Sequence, residues 1–203
     1  NEDVARQPRH AMGSVQPAYH PSPEKRLRNR RTIYTFQQRS LVHPMIEVFN
    51  GPSLDLSCER REASTVPTQA FALFNSQLLH DMSLALGARI EGQEQAANGR
   101  IARSFRAVLG RNPDPPEREA AVKHFERQLA YHRKTPAPAP PQPEPLVHTI
   151  TSELTGEKFQ FVQQEEPGTF EKNLHPSDVS PAARALADLA LVLLNSNEFV
   201  YIY

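Results

Sequence analysis

Ser180-Pro181-Ala182-Ala183-Arg184-Ala185-Leu186-Ala187-Asp188-Leu189-Ala190-Leu191-Val192-Leu193-Leu194 is the stretch that decides the fold. Ser180 suits a helix cap, and Pro181 suits a first helical turn because the amide it lacks has no intrahelical partner there. Leu186, Leu189, Ala190, Leu193 and Leu194 recur at three- and four-residue spacing and form the main apolar stripe. Leu191 and Val192 fall off that stripe, so the helix is apolar most of the way round. Such a helix belongs at the centre of a helical fold. Asn195, Ser196 and Asn197 follow it, with side chains able to satisfy its last carbonyls or the neighbouring loop.

The segments upstream supply the helices that would surround it. Asp114-Pro115-Pro116-Glu117 reads as a capping box with proline in the first turn, opening a helix through Val122, Phe125 and Leu129. Ile101, Phe105, Val108 and Leu109 define the preceding amphipathic helix, closed by Gly110, with Arg100, Arg103 and Arg106 turned outward as solubilising groups. The short link predicts an antiparallel helical hairpin. Earlier still, Thr65 and Pro67 predict the start of one long helix whose buried face is Phe71, Phe74, Leu78, Met82 and Ala85. Asn75 falls within that stripe. A buried amide left unpaired costs about 1–3 kcal/mol, so Asn75 is expected to meet backbone or another polar side chain.

The remaining segments read differently. Residues 1–29 show no apolar periodicity, and Pro8, Pro17, Pro21 and Pro23 predict an extended arm. Its basic run, Lys25, Arg26, Arg28, Arg30 and Arg31, reads as solvated or locally paired in preference to phosphate-binding. Thr32 to Arg39 is ambiguous between strand and helix, with helix preferred, and Asn50-Gly51-Pro52 forces a turn after the apolar Met45-Ile46-Glu47-Val48-Phe49. Six prolines between 136 and 145 predict an extended spacer. After them, two alternating segments around Thr155-Gly156 predict a β-hairpin over 147–163, inserted into the helical body. The expected class is therefore mainly α: an irregular helical domain over 30–203 with an inserted β-hairpin and an extended N-terminal arm.

Composition narrows the functional classes. The 203 residues carry 23 basic and 23 acidic side chains, a formal net charge of zero, which gives no general case for nucleic acid or an acidic membrane surface. No apolar run approaches the roughly 20 residues that span a bilayer, and the first residues lack the order of a secretory signal. A chain that starts at Asn1 is expected to be a fragment or a processed product. The single cysteine, Cys58, rules out an internal disulfide, a Cys-x-x-Cys zinc site and a Cys-x-x-Cys-His haem attachment within this sequence. No cofactor is expected in this chain.

Several separated motifs occur together: Asn29-Arg30-Arg31-Thr32-Ile33-Tyr34, the Asp55-to-Arg61 loop, Ser64 to Ala70, Leu73-Phe74-Asn75 and Leu193 to Tyr201. In these the sequence resembles the planctomycete-specific domain catalogued as domain of unknown function 1553, from about Arg30 to Tyr203. The resemblance implies the C-terminal part of a large extracytoplasmic protein, in the periplasm or at the cell surface. Such proteins often carry a cytochrome c-type domain and a second uncharacterised domain. Haem c would then sit in an upstream domain. The implied partners are upstream domains of the same parent protein, with a polysaccharide or another protein as further candidates and no nucleic acid. The family brings no catalytic residues with it.

The motif ends concentrate polar side chains, and Arg30, Arg31, Asp55, Cys58, Arg60, Arg61, Asn75, Asn195, Asn197 and Glu198 form the candidate site. Cys58 is either a nucleophile favoured by Arg60 and Arg61 or a small packed residue, and packing is preferred. His43, His80, His148 and His175 match no metal-ligand spacing. Asp55, Glu59, Glu62 and Glu198 offer an acid and base for glycan hydrolysis, or carboxylates that hold arginines in bidentate pairs. The second reading makes the cluster a polar knot locking the loop to the last helix. The function expected is a structural or binding module, and the alternative is part of a hydrolytic or redox enzyme acting on polysaccharide. A knot and an open cleft distinguish them.

Overall fold

The computed structural model describes residues 22, 24–34, 44–52, 67–140, 146–152, 154–163 and 171–201. Their helices are α1 (Lys25–Arg28), α2 (Pro44–Val48), α3 (Pro67–Phe74), α4 (Gln77–Gln93), α5 (Ala97–Leu109), α6 (Pro115–Lys134), α7 (Pro181–Leu194) and α8 (Asn197–Val200). Single 3-10 turns lie at Thr32–Tyr34 and Pro176–Asp178, and β1 (Leu146–Thr151) pairs antiparallel with β2 (Lys158–Gln163). The class is mainly α with one hairpin, as the sequence pattern predicts.

α7 is the central helix. Ala183, Ala185, Leu186 and Ala190 are completely buried, and α4, α5 and α6 all pack against it. Ile90 of α4, Ile101 and Phe105 of α5, and Ala121 and Phe125 of α6 join Leu186, Leu189 and Leu193 in one core. Each large member contributes about 1.5–3 kcal/mol by leaving water. Its ends are fastened as well. Ser180 accepts from the amides of Ala182 and Ala183 while its hydroxyl reaches the Glu91 carboxylate of α4 at 2.6 Å. At the other end Asn195 Nδ2 donates to the Leu191 carbonyl at 2.8 Å and Ser196 Oγ to the Leu193 carbonyl at 2.7 Å.

The α4–α7 contact is close because its residues are small. Gly87 of α4 faces Ala183 and Ala187 of α7, and a Cβ on it would lie 2.4 Å from the Ala183 carbonyl oxygen and 2.8 Å from the Ala187 nitrogen. α7 also grips the end of α6. The buried Arg184 guanidinium donates to the carbonyls of His132 at 2.7 Å and Thr135 at 3.2 Å, and one turn later Asp188 Oδ2 lies 2.7 Å from His132 Nε2. A cation on the last carbonyls of a helix meets orphan acceptors and the negative end of the dipole together.

Three expectations need correcting. The long helix from Pro67 is two helices, broken at Asn75–Ser76, and the stripe expected to be buried faces out: Phe71 is 66% exposed, Phe74 43%, Leu78 40% and Met82 52%, and Ala85 is exposed too. α4 instead buries Leu79, Ser83, Leu84, Gly87 and Ile90. The reason is that the expected stripe runs across the break: α4 taken alone has its larger apolar side chains Leu79, Leu84 and Ile90 on the buried side, where Gly87 lets α7 approach closely. The break has its own local cause. Asn75 Nδ2 donates to the Phe71 carbonyl at 2.8 Å, and His80 Nε2, also 2.8 Å away, takes the Phe74 carbonyl that a continuous helix would offer to Leu78. Thr65, read as the cap, lies outside the described residues.

The second correction is within the arm, where Lys25–Arg28 forms one helical turn closed by the Glu24 carbonyl. Arg26 pairs with Glu24, and Arg28 donates to the carbonyls of Ser22 and Glu171, so this part of the basic run is locally paired. The third concerns the α5 arginines. Arg106 is exposed, but Arg100 donates to the Glu94 carbonyl and Arg103 to Gln93 Oε1, fastening α5 to the end of α4. The rest follows the sequence: Gly110 closes α5 at φ 74°, Asp114 and Glu117 form the capping box, and Asn50 turns at φ 51°. Of the segment Thr32–Arg39, the described part is the 3-10 turn.

Two glycines of α4 test the crossing. Gly87→Ala should lower stability by about 1–3 kcal/mol despite its better helix propensity, because the helices have to part. Gly92→Ala, at an exposed site with nothing within 4 Å of the new methyl, should raise stability by up to about 1 kcal/mol. Urea midpoints at constant slope measure both.

Candidate functional site

The densest charged network in the described residues forms where the α5–α6 turn meets the C-terminal helix. Gly110 reverses the chain after α5 and places Arg111 beside the capping box of α6. Arg111 Nη1 and Nη2 donate to Glu117 Oε2 and Oε1, both at 2.7 Å, while Nε and Nη2 donate to Glu198 Oε1 and Oε2, also at 2.7 Å. The remaining Nη1 hydrogen reaches the Asn112 carbonyl at 3.2 Å. All five guanidinium hydrogens are thereby used, in two bidentate pairs and one backbone bond. The guanidinium carbon also sits 5.9 Å from the centre of the Phe105 ring. Glu117 binds backward too, accepting from the Asp114 amide at 2.8 Å. Glu198 is carried on α8, whose cap is Ser196, so the turn following α7 is tied to the start of α6.

This arrangement fixes the carboxylates in their charged form. The Arg111 bonds, helped by the Asp114 amide, hold the Glu117 carboxyl at about 2 against an ordinary 4.5. They also pull Glu198 below its ordinary value and push the guanidinium of Arg111 higher still. A carboxylate held this way has no proton to give near neutral pH and little basicity with which to take one. As an acid–base pair Glu117 and Glu198 are unsuited. As a clasp they are well placed.

The other candidate residues fall as follows. Asp55, Cys58, Arg60 and Arg61 lie outside the described residues, as do Glu59, Glu62 and His43. Arg30 and Arg31 are exposed near the 3-10 turn, and Asn197 is exposed in the first turn of α8. Asn75 is exposed and bonded to its own helix, a correction to its placing in the core. Asn195 is half-buried at the end of α7. His80 caps α3, and His175 accepts from the Ser177 amide in the capping box of the 3-10 turn. Among the described residues, no three His, Asp or Glu side chains converge as a metal-binding set.

Arg111 was missed by reading the motifs. The arginine that Glu198 binds comes from the helical hairpin, not from the motif segments. A signal was present: a cation between the closing glycine of one helix and the capping box of the next lies within reach of that box's glutamate.

A family profile described as protein of unknown function (DUF1553) matches residues 4–125. The chain belongs to this family. The match takes in α1 to α5 and the first half of α6, including Arg111 and Glu117, while α7, the hairpin and Glu198 lie beyond it. Searches among curated proteins and among solved structures each returned no match. In this DUF1553 chain the clasp thus joins the matched region to the segment after it.

The clasp makes stability depend on acid in a defined sense. Because the folded pKa of Glu117 lies below the ordinary one, its contribution is full above about pH 4.5 and is lost as pH falls towards 2. Arg111→Gln should therefore lower the urea midpoint at pH 7, with the difference from wild type shrinking as pH falls from 5 to 2.5. A difference independent of pH would contradict the assignment.

Proposed function

We propose that this DUF1553 chain is a structural and protein-binding module of a larger extracytoplasmic protein, with haem c, where the parent carries it, held by a separate upstream domain. The observation that carries this reading is the division of its side chains. The strongest charged contacts join one helix to another: Arg111 with Glu117 and Glu198, Arg184 with the end of α6, and Glu91 with Ser180. Phe71 and Phe74 of α3 and Leu78 and Met82 of α4 are instead large apolar side chains left exposed. Large apolar side chains held in water gain by burial against another protein surface.

The partner proposed for these side chains is an upstream domain of the parent polypeptide, held at high effective concentration by the chain itself. Hydrolysis of a polysaccharide needs one carboxyl that carries a proton, and Glu198, the one described residue among the candidate carboxylates Asp55, Glu59, Glu62 and Glu198, is clamped with Glu117 by Arg111.

A photo-crosslinking residue placed at Phe71 or Met82 in the full parent protein tests the reading. Crosslinks from both positions to upstream residues of the same protein are expected, with none from the exposed Arg106 on α5. Absence of any crosslink at Phe71 and Met82 would remove the basis for this assignment.

A further inference from the structure

The β-hairpin stands apart from the helical body in its packing. Among the described residues no helix makes more than marginal contact with either strand, and Val147, Ile150 and Phe159 are each more than half exposed. Its turn is well built. The Gly156 amide donates to the Ser152 carbonyl at 2.9 Å, the Ser152 amide donates to the Glu157 carbonyl at 2.8 Å, and Gly156 takes φ 72°, the left-handed geometry of a glycine bulge. Two strands alone are marginally stable in water, and three or more with an apolar face, or packing on a helix, are needed for stability. The hairpin therefore has a strong turn and an incomplete sheet.

Its register identifies the free edges. Ser152 faces Glu157 as a hydrogen-bonded pair, so the alternation makes Ile150–Phe159 the next such pair. The amides and carbonyls of Val147, Thr149 and Thr151 then point out along the β1 edge, and those of Lys158, Gln160 and Val162 along the β2 edge. Natural sheets guard open edges with charge or proline. β2 carries Lys158. β1 carries no Asp, Glu, Lys, Arg or Pro over its six residues.

We propose that β1 is a self-pairing edge, through which the hairpins of two copies of this chain join antiparallel into a four-stranded sheet ordered β2-β1-β1-β2. A twofold axis at Thr149 sets Thr149 against its own copy and Val147 against Thr151. Every outward amide then meets an outward carbonyl, as in an isologous interface. The charge balance favours a second copy as the occupant: neither edge brings a formal charge to the other, and the whole chain has a net charge of zero, so no long-range repulsion opposes association. Pairing also doubles the apolar face that Ile150 and Phe159 begin. The hairpin lies beyond the residues matched by the family profile, so the device is an addition to the matched region.

Light scattering on the eluting full chain at pH 7 should give twice the 22.9 kDa of one copy at high micromolar concentration, falling towards one copy on dilution. Thr149→Lys, which sets two charges face to face at the axis, should keep the chain at one copy over the same range. Oxidising Thr149→Cys in a Cys58→Ser background should give a disulfide-linked dimer, whereas Gln160→Cys, on the outer edge, should not. A wild-type chain that stays single at every concentration would overturn the proposal, as would a dimer that survives Thr149→Lys or crosslinks through Gln160→Cys alone.

Discussion

The close approach of α4 to α7 at Gly87 is the constraint to which the rest of the structure answers. Where the backbones come this near, the contact has to be built from Gly87, Ala183 and Ala187, and larger side chains lie to either side. Leu186 and Leu189 then fall toward α5 and α6, where Ile101, Phe105 and Phe125 close around them. On α4 the same packing leaves Leu78 and Met82 turned away from the core.

That crossing also marks the limit of what hydrophobic spacing reveals. The central place of α7 was legible because its apolar residues go round the helix, and the α5–α6 hairpin was legible because a closing glycine and a capping box leave local marks. The buried face of α4 was not. The spacing from Phe71 to Ala85 makes one stripe only if the helix is continuous; with the break, the buried stripe of α4 is Leu79, Ser83, Gly87 and Ile90, and Gly87 is there for its lack of volume, a property that registers only once the partner helix is known. The break at Asn75 escaped for a related reason: an asparagine in an apolar stripe reads equally as a buried polar group or as a helix end, and bonds to Phe71 and from His80 to Phe74 decide for the end.

Of the candidate residues, Glu198 is the one that the Arg111 clasp takes in. Glu198 stood out from the polar closing motif, and a bidentate arginine was the partner its chemistry asked for. The identity of that arginine depends on the hairpin turn coming to rest against α8, which brings together residues 87 positions apart. No local pattern encodes such a meeting. Arg111 was nonetheless constrained from one side, because Glu117 stands six residues away across a turn whose geometry Gly110 fixes.

The charged contacts share a logic that explains why they are poor material for a catalytic centre. Glu117 lies in the first turn of α6 and Glu91 reaches the capped start of α7, both carboxylates at positive helix ends; Arg184 lies on the closing carbonyls of α6, a cation at a negative one. Each obeys the helix dipole and satisfies groups that the helix itself leaves unpaired. Catalytic carboxylates need the opposite treatment, an environment that leaves one of them able to change its proton near neutral pH. Arg111 removes that freedom from Glu117 and Glu198 at once. With its helix ends closed by charge in this way, the described part of the molecule keeps its exposed large apolar side chains elsewhere, among them Phe71, Met82, Ile150 and Phe159.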